Sequence, residues 1–361
     1  MTIKPSTNTM ELPAWPVDVP TALLNKISLA KLLEGNEVES SALYASCKSS
    51  GFFLLDLKGC QDGDLLWKES ETLFGLAEEM CDIPYEQKMQ YALRPGTAFG
   101  YKAVGVSKVD TKGTPDRCEF WGLSKDTILA QDTTSAMHPL VAANAAFLRE
   151  FVRHAHSVGL CIMSHLETHL KLPEGSLTSL HRLEAPSADQ IRLLRMSPQP
   201  TADRGTSLLA HTDFGSVTLL WNVVGGLQIL PPDAGVSDSD GDSKQWQFVR
   251  PQPGCVIVNI GDALVSFMNG VLRSNLHRVT TPPGLQASLE RYSVVYFLRP
   301  EDNVLMKPLS NGRAERAGKE VPKDDNVEHL TVKEWVALKT ESFQKALAPM
   351  QSSGGKGTQR Y

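Results

Sequence analysis

Two residues that often bind metal ions stand two positions apart in the stretch HTDFGSVTLLW, namely His211 and Asp213. The apolar, β-branched run that follows them predicts a buried strand. On a strand, residues i and i+2 point to the same side, so the imidazole and the carboxylate can reach one point in space. We therefore predict part of a metal site at the head of this strand.

A third ligand is offered by His277, which lies in NGVLRSNLHRV and so on another predicted strand. Two imidazoles and one carboxylate on one side of an ion leave its other side open, and this is the ligand set of non-haem iron(II) oxygenases. A structural zinc site normally has four protein ligands and is rich in cysteine. The six cysteines of this chain are dispersed without a CxxC pair, so they indicate neither such a site nor a disulfide framework.

Arg291 and Ser293 form a second pair two positions apart, in RYSVVYFL. On one face of a strand, a guanidinium and a hydroxyl can bind a carboxylate, because the planar fork pairs with both oxygens and the hydroxyl adds a third hydrogen bond. The pair follows His277 by 14 residues, near enough for a small diacid to span from this pair to the metal. We predict that a dicarboxylate co-substrate binds here.

The elements that must position these residues change in character near residue 190. From there on, eight short apolar runs predict strands of a sandwich or closed barrel: IRLLRM, SVTLLW, GLQIL, WQFV, CVIVNI, LVSFM, VLRSNLHRV and RYSVVYFL. Before that point the pattern is mixed. It predicts helices over 38–50, about 62–81, 85–91 and, as one long core helix, 139–172, with a buried strand over 51–57 and loops and short strands over 96–123.

Composition and charge narrow the classes of function. The chain has 361 residues, 41% of them hydrophobic, which suffices for a sizeable core. A formal net charge of −5 with scattered Lys and Arg argues against a nucleic-acid partner. The pattern contains no signal peptide or membrane-spanning run, so we predict a cytoplasmic protein without a membrane partner. An acidic, Ser-rich insertion over 233–244 predicts an exposed loop.

Six blocks, taken in order, make the chain similar to the iron(II)/2-oxoglutarate-dependent dioxygenases of the isopenicillin N synthase-like family: GFFLLDL, LLRMSPQP, HTDFGSVTLL, GGLQIL, VNIGDALVSFMNGVLRSNLHRV and RYSVVYFLRP. The resemblance implies a mainly β fold with flanking helices, in which a distorted double-stranded β-helix (jelly-roll) barrel follows an α/β amino-terminal region. It also implies iron(II) on His211, Asp213 and His277, the C5 carboxylate of 2-oxoglutarate on Arg291 and Ser293, and dioxygen as oxidant.

The chain departs from this family in the segment LLRMSP. Where many plant members have Asn and Tyr before the proline of the YP motif, this chain has Arg195 and Ser197. Two interpretations of Arg195 stay open. It binds the C1 carboxylate of 2-oxoglutarate or an acidic substrate, or it pairs with a surface acid.

We predict an amino-terminal helical and strand region over 1–185, the dioxygenase barrel core over 186–305, a carboxy-terminal helical extension over 306–347 and a disordered tail over 348–361. Six residues are candidates for the substrate pocket because we expect them near the barrel mouth. They are Tyr101, Lys102, Arg117, Phe120, Phe214 and Phe297.

The resemblance implies an oxidoreductase of secondary metabolism that acts on a small organic molecule by hydroxylation, desaturation, ring closure or ring expansion, with release of succinate and CO2. The altered LLRMSP segment motivates an alternative, an iron-dependent oxidase whose electrons come from its substrate without 2-oxoglutarate. A third hypothesis is a non-catalytic small-molecule binding protein. We expect a monomer or a weak homo-oligomer.

Overall fold

The computed structural model describes residues 12–93, 96–109, 113–199, 205–231, 246–309 and 329–344. Its strands are β1 (Lys26–Ser28), β2 (Phe52–Asp56), β3 (Gly100–Lys102), β4 (Cys118–Ser124), β5 (Gln190–Met196), β6 (Thr206–His211), β7 (Val217–Asn222), β8 (Leu227–Ile229), β9 (Gln247–Phe248), β10 (Cys255–Ile260), β11 (His277–Thr280) and β12 (Arg291–Leu298). Its α-helices are α1 (Leu29–Leu33), α2 (Glu37–Ser49), α3 (Gln61–Cys81), α4 (Tyr85–Met89), α5 (Lys125–Ile128), α6 (Pro139–Ala143), α7 (Ala145–His169), α8 (Asp262–Phe267) and α9 (Val332–Gln344).

The larger sheet has eight strands in the order β1-β2-β10-β7-β12-β5-β4-β3. Strands β2 and β4, from the amino-terminal part of the chain, pair directly with β10 and β5. Side chains alternate between its two faces, as the period of a strand requires. In β5, Ile191 and Leu193 pack among the helices, whereas Leu194 and Met196 face the interior between the sheets. This alternation decides which residues can reach a site inside the barrel.

The smaller sheet has the order β6-β11-β8-β9. Leu227 and Ile229 of β8 pack against Phe52 and Ile257 of the larger sheet, so apolar side chains fill the space between the two sheets. The sheets do not close into one. This arrangement confirms the predicted mainly β fold with flanking helices, and it is consistent with the predicted jelly-roll core.

Helices cover the other face of the larger sheet. The ring of Phe151 in α7 lies 5.6 Å from that of Trp221 and 6.4 Å from that of Tyr296, both on the sheet. The prediction of one long helix over 139–172 is wrong in one respect, because α6 and α7 are separate. Asn144 between them has φ −104° and ψ 10°, and its side chain donates to the carbonyl of Leu140 at 2.8 Å, which ends the first helix.

Two further elements differ from the prediction. The run LVSFM lies in helix α8 and not in a strand, and strand β6 was not predicted at all. The expected exposed loop over 233–244 and the expected tail over 348–361 lie outside the described residues. Within the described part of the chain, no helix is long and apolar enough to cross a lipid bilayer.

We expect Phe151→Ala to lower the free energy of unfolding by about 3–5 kcal/mol, because it leaves a cavity between α7 and the sheet. Phe151 is 0% exposed and contacts two buried aromatic rings. Urea denaturation followed by circular dichroism measures the effect. Val38→Ala, at a position of α2 that is 79% exposed, is the control and should change stability by no more than about 0.5 kcal/mol. Equal effects of the two substitutions would contradict the packing described here.

Candidate metal centre and cavity

Two histidines lie opposite each other in the smaller sheet. His211 is the last residue of β6, His277 is the first of β11, and the two are direct partners in the antiparallel register. Their ring centroids are 4.3 Å apart. Strand pairing therefore brings together two imidazoles that are far apart in the sequence.

Asp213 does not lie on a strand, so the expectation that strand alternation aligns it with His211 is wrong. β6 ends at His211, and β7 begins only at Val217. The loop between them packs against the start of α8, where the backbone N–H of Asp262 donates to the carbonyl of Asp213 at 2.7 Å. A Cβ at Gly261 would collide with the carbonyl of Gly215 and lie 3.0 Å from that of Asp213, so a glycine is needed there. These backbone contacts hold Asp213 beside the histidines.

The three side chains converge on one point. Asp213 Oδ1 lies 3.7 Å from His211 Nε2 and 3.8 Å from His277 Nε2, and one ligand atom from each residue lies within 4.8 Å of the others. Nδ1 of His211 donates to the carbonyl of Leu209 at 2.8 Å, and Nδ1 of His277 donates to that of Asn275 at 3.1 Å. These bonds at Nδ1 orient both rings so that Nε2 is the atom that can face a metal ion.

The protonation states of His211 and Asp213 favour metal binding at neutral pH. Burial, together with the neighbouring His277, lowers the pKa of His211 to about 4, so its imidazole is neutral. Burial alone would favour the protonated form of Asp213. The two histidines and the hydrogen bonds from Asn259 and Thr218 outweigh this effect and hold the pKa of the Asp213 carboxyl below its ordinary value. The site therefore presents the neutral imidazole of His211 and the carboxylate of Asp213 beside the imidazole of His277.

The second oxygen of Asp213 is held by the larger sheet. Oδ2 accepts from Thr218 Oγ1 at 2.7 Å and from Asn259 Nδ2 at 2.8 Å. Thr218 lies on β7 and Asn259 on β10. These bonds leave Oδ1 directed at the histidines, as expected for residues that orient a metal ligand.

We expect Asn259→Ala to weaken iron(II) binding about 10- to 100-fold, because the carboxylate of Asp213 loses one of the two donors that orient it. Anaerobic calorimetric titration with iron(II) measures the affinity. Asn222→Ala is the matched control, since the Asn222 side chain bonds to the carbonyl of Val224 and not to the cluster. An unchanged affinity in Asn259→Ala would show that the bond does not orient the ligand.

Arg291 and Ser293 lie side by side on the interior face of β12. Arg291 is 2% exposed, and its guanidinium donates to Ser293 Oγ at 2.6 Å and to the carbonyl of Gly225 at 2.8 Å. Burial lowers the pKa of Arg291 to about 10, so the group stays charged at neutral pH. Among the described residues, no carboxylate forms an ion pair with it. A buried cation without an acidic partner is a place for an anionic ligand.

Arg195 points away from this interior face. Its guanidinium donates to Glu119 Oε1 at 2.6 Å and to Asp82 Oδ1 at 2.7 Å. Of the two interpretations left open by the sequence, the structure therefore has the ion pair, and Arg195 does not contact the cavity. The residue of β5 that does face Arg291 is Met196, whose sulfur lies 3.9 Å from Nη1.

A cavity of about 350 Å³ opens beside the cluster and includes His211 and Asp213 in its lining. Five of the six predicted pocket residues line it: Tyr101, Lys102, Phe120, Phe214 and Phe297. Arg117 does not; its guanidinium donates to Gln199 at 3.3 Å. Thr340 of α9 also lines the cavity, so the carboxy-terminal helix contributes to its wall. Arg291 and Ser293 lie outside this lining.

The lining residues that the sequence analysis did not name include two arginines, Arg192 and Arg299. Strand alternation could have indicated them. Arg192 lies four positions before Met196, and Arg299 lies eight positions after Arg291, so each shares a face with a residue of the interior.

Family models match most of the described chain. Residues 188–300 match the 2OG-Fe(II) oxygenase superfamily. Residues 24–144 match the model described as the non-haem dioxygenase in morphine synthesis N-terminal domain. The first match contains all three residues of the cluster and the Arg291–Ser293 pair.

Known proteins agree with these matches. The chain is 32% identical to a 2-oxoglutarate-dependent dioxygenase of Aspergillus fumigatus, over 82% of this chain and 80% of that protein. It is 30% identical to another from Dothideomycetidae sp., over 91% and 92% of the two chains. In fold it resembles the crystal structure of full-length Neurospora crassa T7H in complex with alpha-KG and thymine, with a TM-score of 0.71, 20% identity, and coverage of 88% and 96%.

Proposed function

This chain belongs to the 2OG-Fe(II) oxygenase superfamily, and we propose that it binds its iron(II) with His211, Asp213 and His277. As a member it is an oxidoreductase that uses iron(II), 2-oxoglutarate and dioxygen. Two imidazoles and one carboxylate fit that metal and leave positions open. One observation carries the assignment: the three ligand atoms converge within 4.8 Å, while the other polar atoms of the same side chains are bonded elsewhere.

Arg291 and Ser293 are proposed to hold the C5 carboxylate of 2-oxoglutarate. The buried guanidinium without an acidic partner, with a serine hydroxyl 2.6 Å from it, supports this role. The relatives are named for their dependence on 2-oxoglutarate. They give no support to the alternative of an iron-dependent oxidase that works without it.

When bound together, iron(II) and 2-oxoglutarate supply an oxidation in which the co-substrate loses CO2 and becomes succinate while dioxygen oxidises the substrate. The residues of this chain contribute position and shielding. The backbone bonds to His211 and His277 fix the two rings, and Thr218 and Asn259 fix the carboxylate. Burial of the cluster keeps bulk water away from the reacting groups.

The substrate is proposed to be a small organic molecule. A cavity of about 350 Å³ with a largely apolar and aromatic lining supports this size and character. Hydroxylation, desaturation, ring closure and ring expansion all fit the chemistry. The similarity to fungal dioxygenases supports a role in secondary metabolism.

The organisation of the chain is also a proposal. The two family matches, over 24–144 and 188–300, support an amino-terminal region over 1–185 and a barrel core over 186–305. Helix α9 supports a carboxy-terminal helical extension over 306–347. Six unpaired cysteine thiols support a cytoplasmic location. The net charge of −5 supports the absence of nucleic-acid and membrane partners, and we propose a monomer or a weak homo-oligomer.

The proposed function is tested by adding iron(II) and 2-oxoglutarate to the purified protein without oxygen. We expect a weak visible charge-transfer band, which requires both components, and succinate on admission of air. Omission of either component is the control. If neither the band nor any succinate appears with metal-loaded protein, the proposed function is wrong.

A further inference from the structure

Two arginines line the cavity beside the metal cluster without an acidic partner. Arg192 lies on β5, and Arg299 follows the last residue of β12. Arg299 is 3% exposed and Arg192 is half-buried. Neither forms an ion pair with a carboxylate in the part of the chain that the structure describes. Both line the same cavity as His211 and Asp213.

One amide holds the two guanidinium groups together. The hydrogen-bond network directs the amide oxygen of Gln190 at both, 3.3 Å from Arg192 Nη2 and 2.9 Å from Arg299 Nη2, while the amide nitrogen donates to the carbonyl of Ala98 at 3.0 Å. Arg299 Nη1 also donates to the carbonyl of Ala188. Nε of each arginine has no hydrogen-bond partner among the described residues. The donors of this pair are therefore incompletely used.

Three aromatic rings pack against the guanidinium groups. The ring of Phe297 lies 4.8 Å from the guanidinium carbon of Arg192 and 5.2 Å from that of Arg299. Phe120 lies 4.3 Å from the first, and Phe214 lies 6.0 Å from the second. Such stacking uses the faces of the guanidinium groups, whereas their N–H donors lie in the plane. The pair is thus oriented without being neutralised.

The charges of the metal site leave both arginines uncompensated. Iron(II), the Asp213 carboxylate, the 2-oxoglutarate dianion and the Arg291 guanidinium together carry no net charge. Burial, and for Arg192 also the nearby charge of Arg299, lowers the pKa of each arginine to about 10, so both stay charged at neutral pH. Two partly desolvated cations in one cavity favour the binding of an anion.

The nearest acids do not supply this charge. The carboxylate of Asp189 accepts from the backbone N–H of Arg299 at 2.6 Å and from the Tyr296 hydroxyl at 3.2 Å, so it meets the backbone of Arg299 and not its guanidinium. The remaining cation of the lining, Lys102, forms a buried ion pair with Asp116. The unmatched positive charge of the cavity is therefore confined to Arg192 and Arg299.

We propose that Arg192 and Arg299 bind a carboxylate group of the substrate, so that the oxidised molecule is a carboxylic acid with an apolar body. The planar N–H donors of a guanidinium group match the two oxygens of a carboxylate. The rest of the lining suits the apolar body and includes Met89, Leu93, Val106 and Leu208. The inference rests on the proposed function for the identity of the bound molecule as substrate.

The test uses 3-phenylpropionate as probe and its neutral amide, 3-phenylpropionamide, as matched ligand. The full-length protein is saturated with iron(II) and 2-oxoglutarate without oxygen, so that Arg291 and the metal are occupied, and binding is measured by calorimetry. We expect the acid to bind more tightly than the amide. Arg192→Gln and Arg299→Gln should each weaken binding of the acid about 10- to 100-fold, as expected for loss of a charge-assisted hydrogen bond.

Arg192→Lys keeps the charge and should retain part of the affinity. Arg149→Gln is the control, because Arg149 is a half-buried arginine of α7 that bonds to the carbonyl of Ile128, away from the cavity. Melting temperatures identify variants that fail to fold. Where a glutamine variant fails to fold, the lysine variant at the same position, Arg192→Lys or Arg299→Lys, is tested in its place. Equal binding of acid and amide, or affinity for the acid that is independent of both arginines, overturns the proposal.

Two further results would also overturn it. If Arg192→Gln and Arg299→Gln weaken 2-oxoglutarate as strongly as Arg291→Gln does, the two arginines bind the co-substrate. If phenyl phosphate binds in an arginine-dependent manner and the carboxylate does not, the ligand class is wrong. Failure of the proposed function can be told apart from failure of this inference. If the proposed function is wrong, 2-oxoglutarate does not bind, but arginine-dependent binding of the probe to metal-free protein can still be measured.

Discussion

Asp213→Ala should abolish succinate formation and weaken iron(II) binding by more than about 100-fold. Loss of a residue that merely supports a metal ligand costs about 10- to 100-fold, and Asp213 is proposed to be a ligand itself. It is also the only carboxylate of the cluster, so its loss leaves only the two imidazoles to hold a divalent ion. Anaerobic calorimetry with iron(II) and a succinate assay under oxygen measure the two effects.

The control for Asp213→Ala is Asp64→Ala, which removes an exposed carboxylate in the first turn of α3. It should leave both iron affinity and succinate formation unchanged. The melting temperature of Asp213→Ala shows whether the variant is folded, since Thr218 and Asn259 lose their common acceptor. Folded Asp213→Ala protein with normal iron affinity and turnover would refute the metal assignment.

Arg291→Gln should raise the Kd for 2-oxoglutarate about 30-fold or more while leaving iron affinity nearly unchanged. Removing one partner of a buried, hydrogen-bonded charge pair costs about 2–5 kcal/mol, and about 1.4 kcal/mol corresponds to a tenfold change in affinity. Arg291 meets the condition of burial, since it is 2% exposed. Titration of the anaerobic charge-transfer band with 2-oxoglutarate measures the Kd.

Ser293→Ala tests the contribution of the second residue of this pair to 2-oxoglutarate binding. It removes a neutral hydroxyl that accepts from Arg291 at 2.6 Å, so we expect a smaller effect, of about tenfold. Arg149→Gln again serves as the arginine control. If Arg291→Gln binds 2-oxoglutarate normally, the assignment of the Arg291–Ser293 pair to the C5 carboxylate is wrong, even if iron binding is as proposed.

Strand alternation explains why much of the site could be predicted. Arg291 and Ser293 lie on one continuous strand of eight residues, so their spacing in the sequence is also their spacing on a face. The same alternation includes Phe297 and, one residue past the end of the strand, Arg299. Alternation therefore places Arg291 and Ser293 on the same face as Phe297, beside the two arginines of the cavity.

Strand alternation does not explain how His211 and Asp213 come together, although both residues lie in the cluster. Asp213 follows the end of β6, and its place is decided by contacts with α8 at Gly261 and Asp262. Those contacts join segments that are far apart in the sequence. No local pattern in HTDFGSVTLLW indicates them, because the run also has the period expected of a strand.

By itself, the sequence determined the fold family, and it predicted the types of metal ligand and the Arg291–Ser293 pair as a carboxylate site, since residue chemistry and local periodicity carry that information. Only the tertiary structure decided which partner each polar group has. Arg195 pairs with Glu119 and Asp82, whereas Arg192, three residues earlier on the same strand, faces the cavity without an acid. The physical reason is that electrostatic compensation depends on which strands and helices become neighbours, and no sequence spacing specifies those distances.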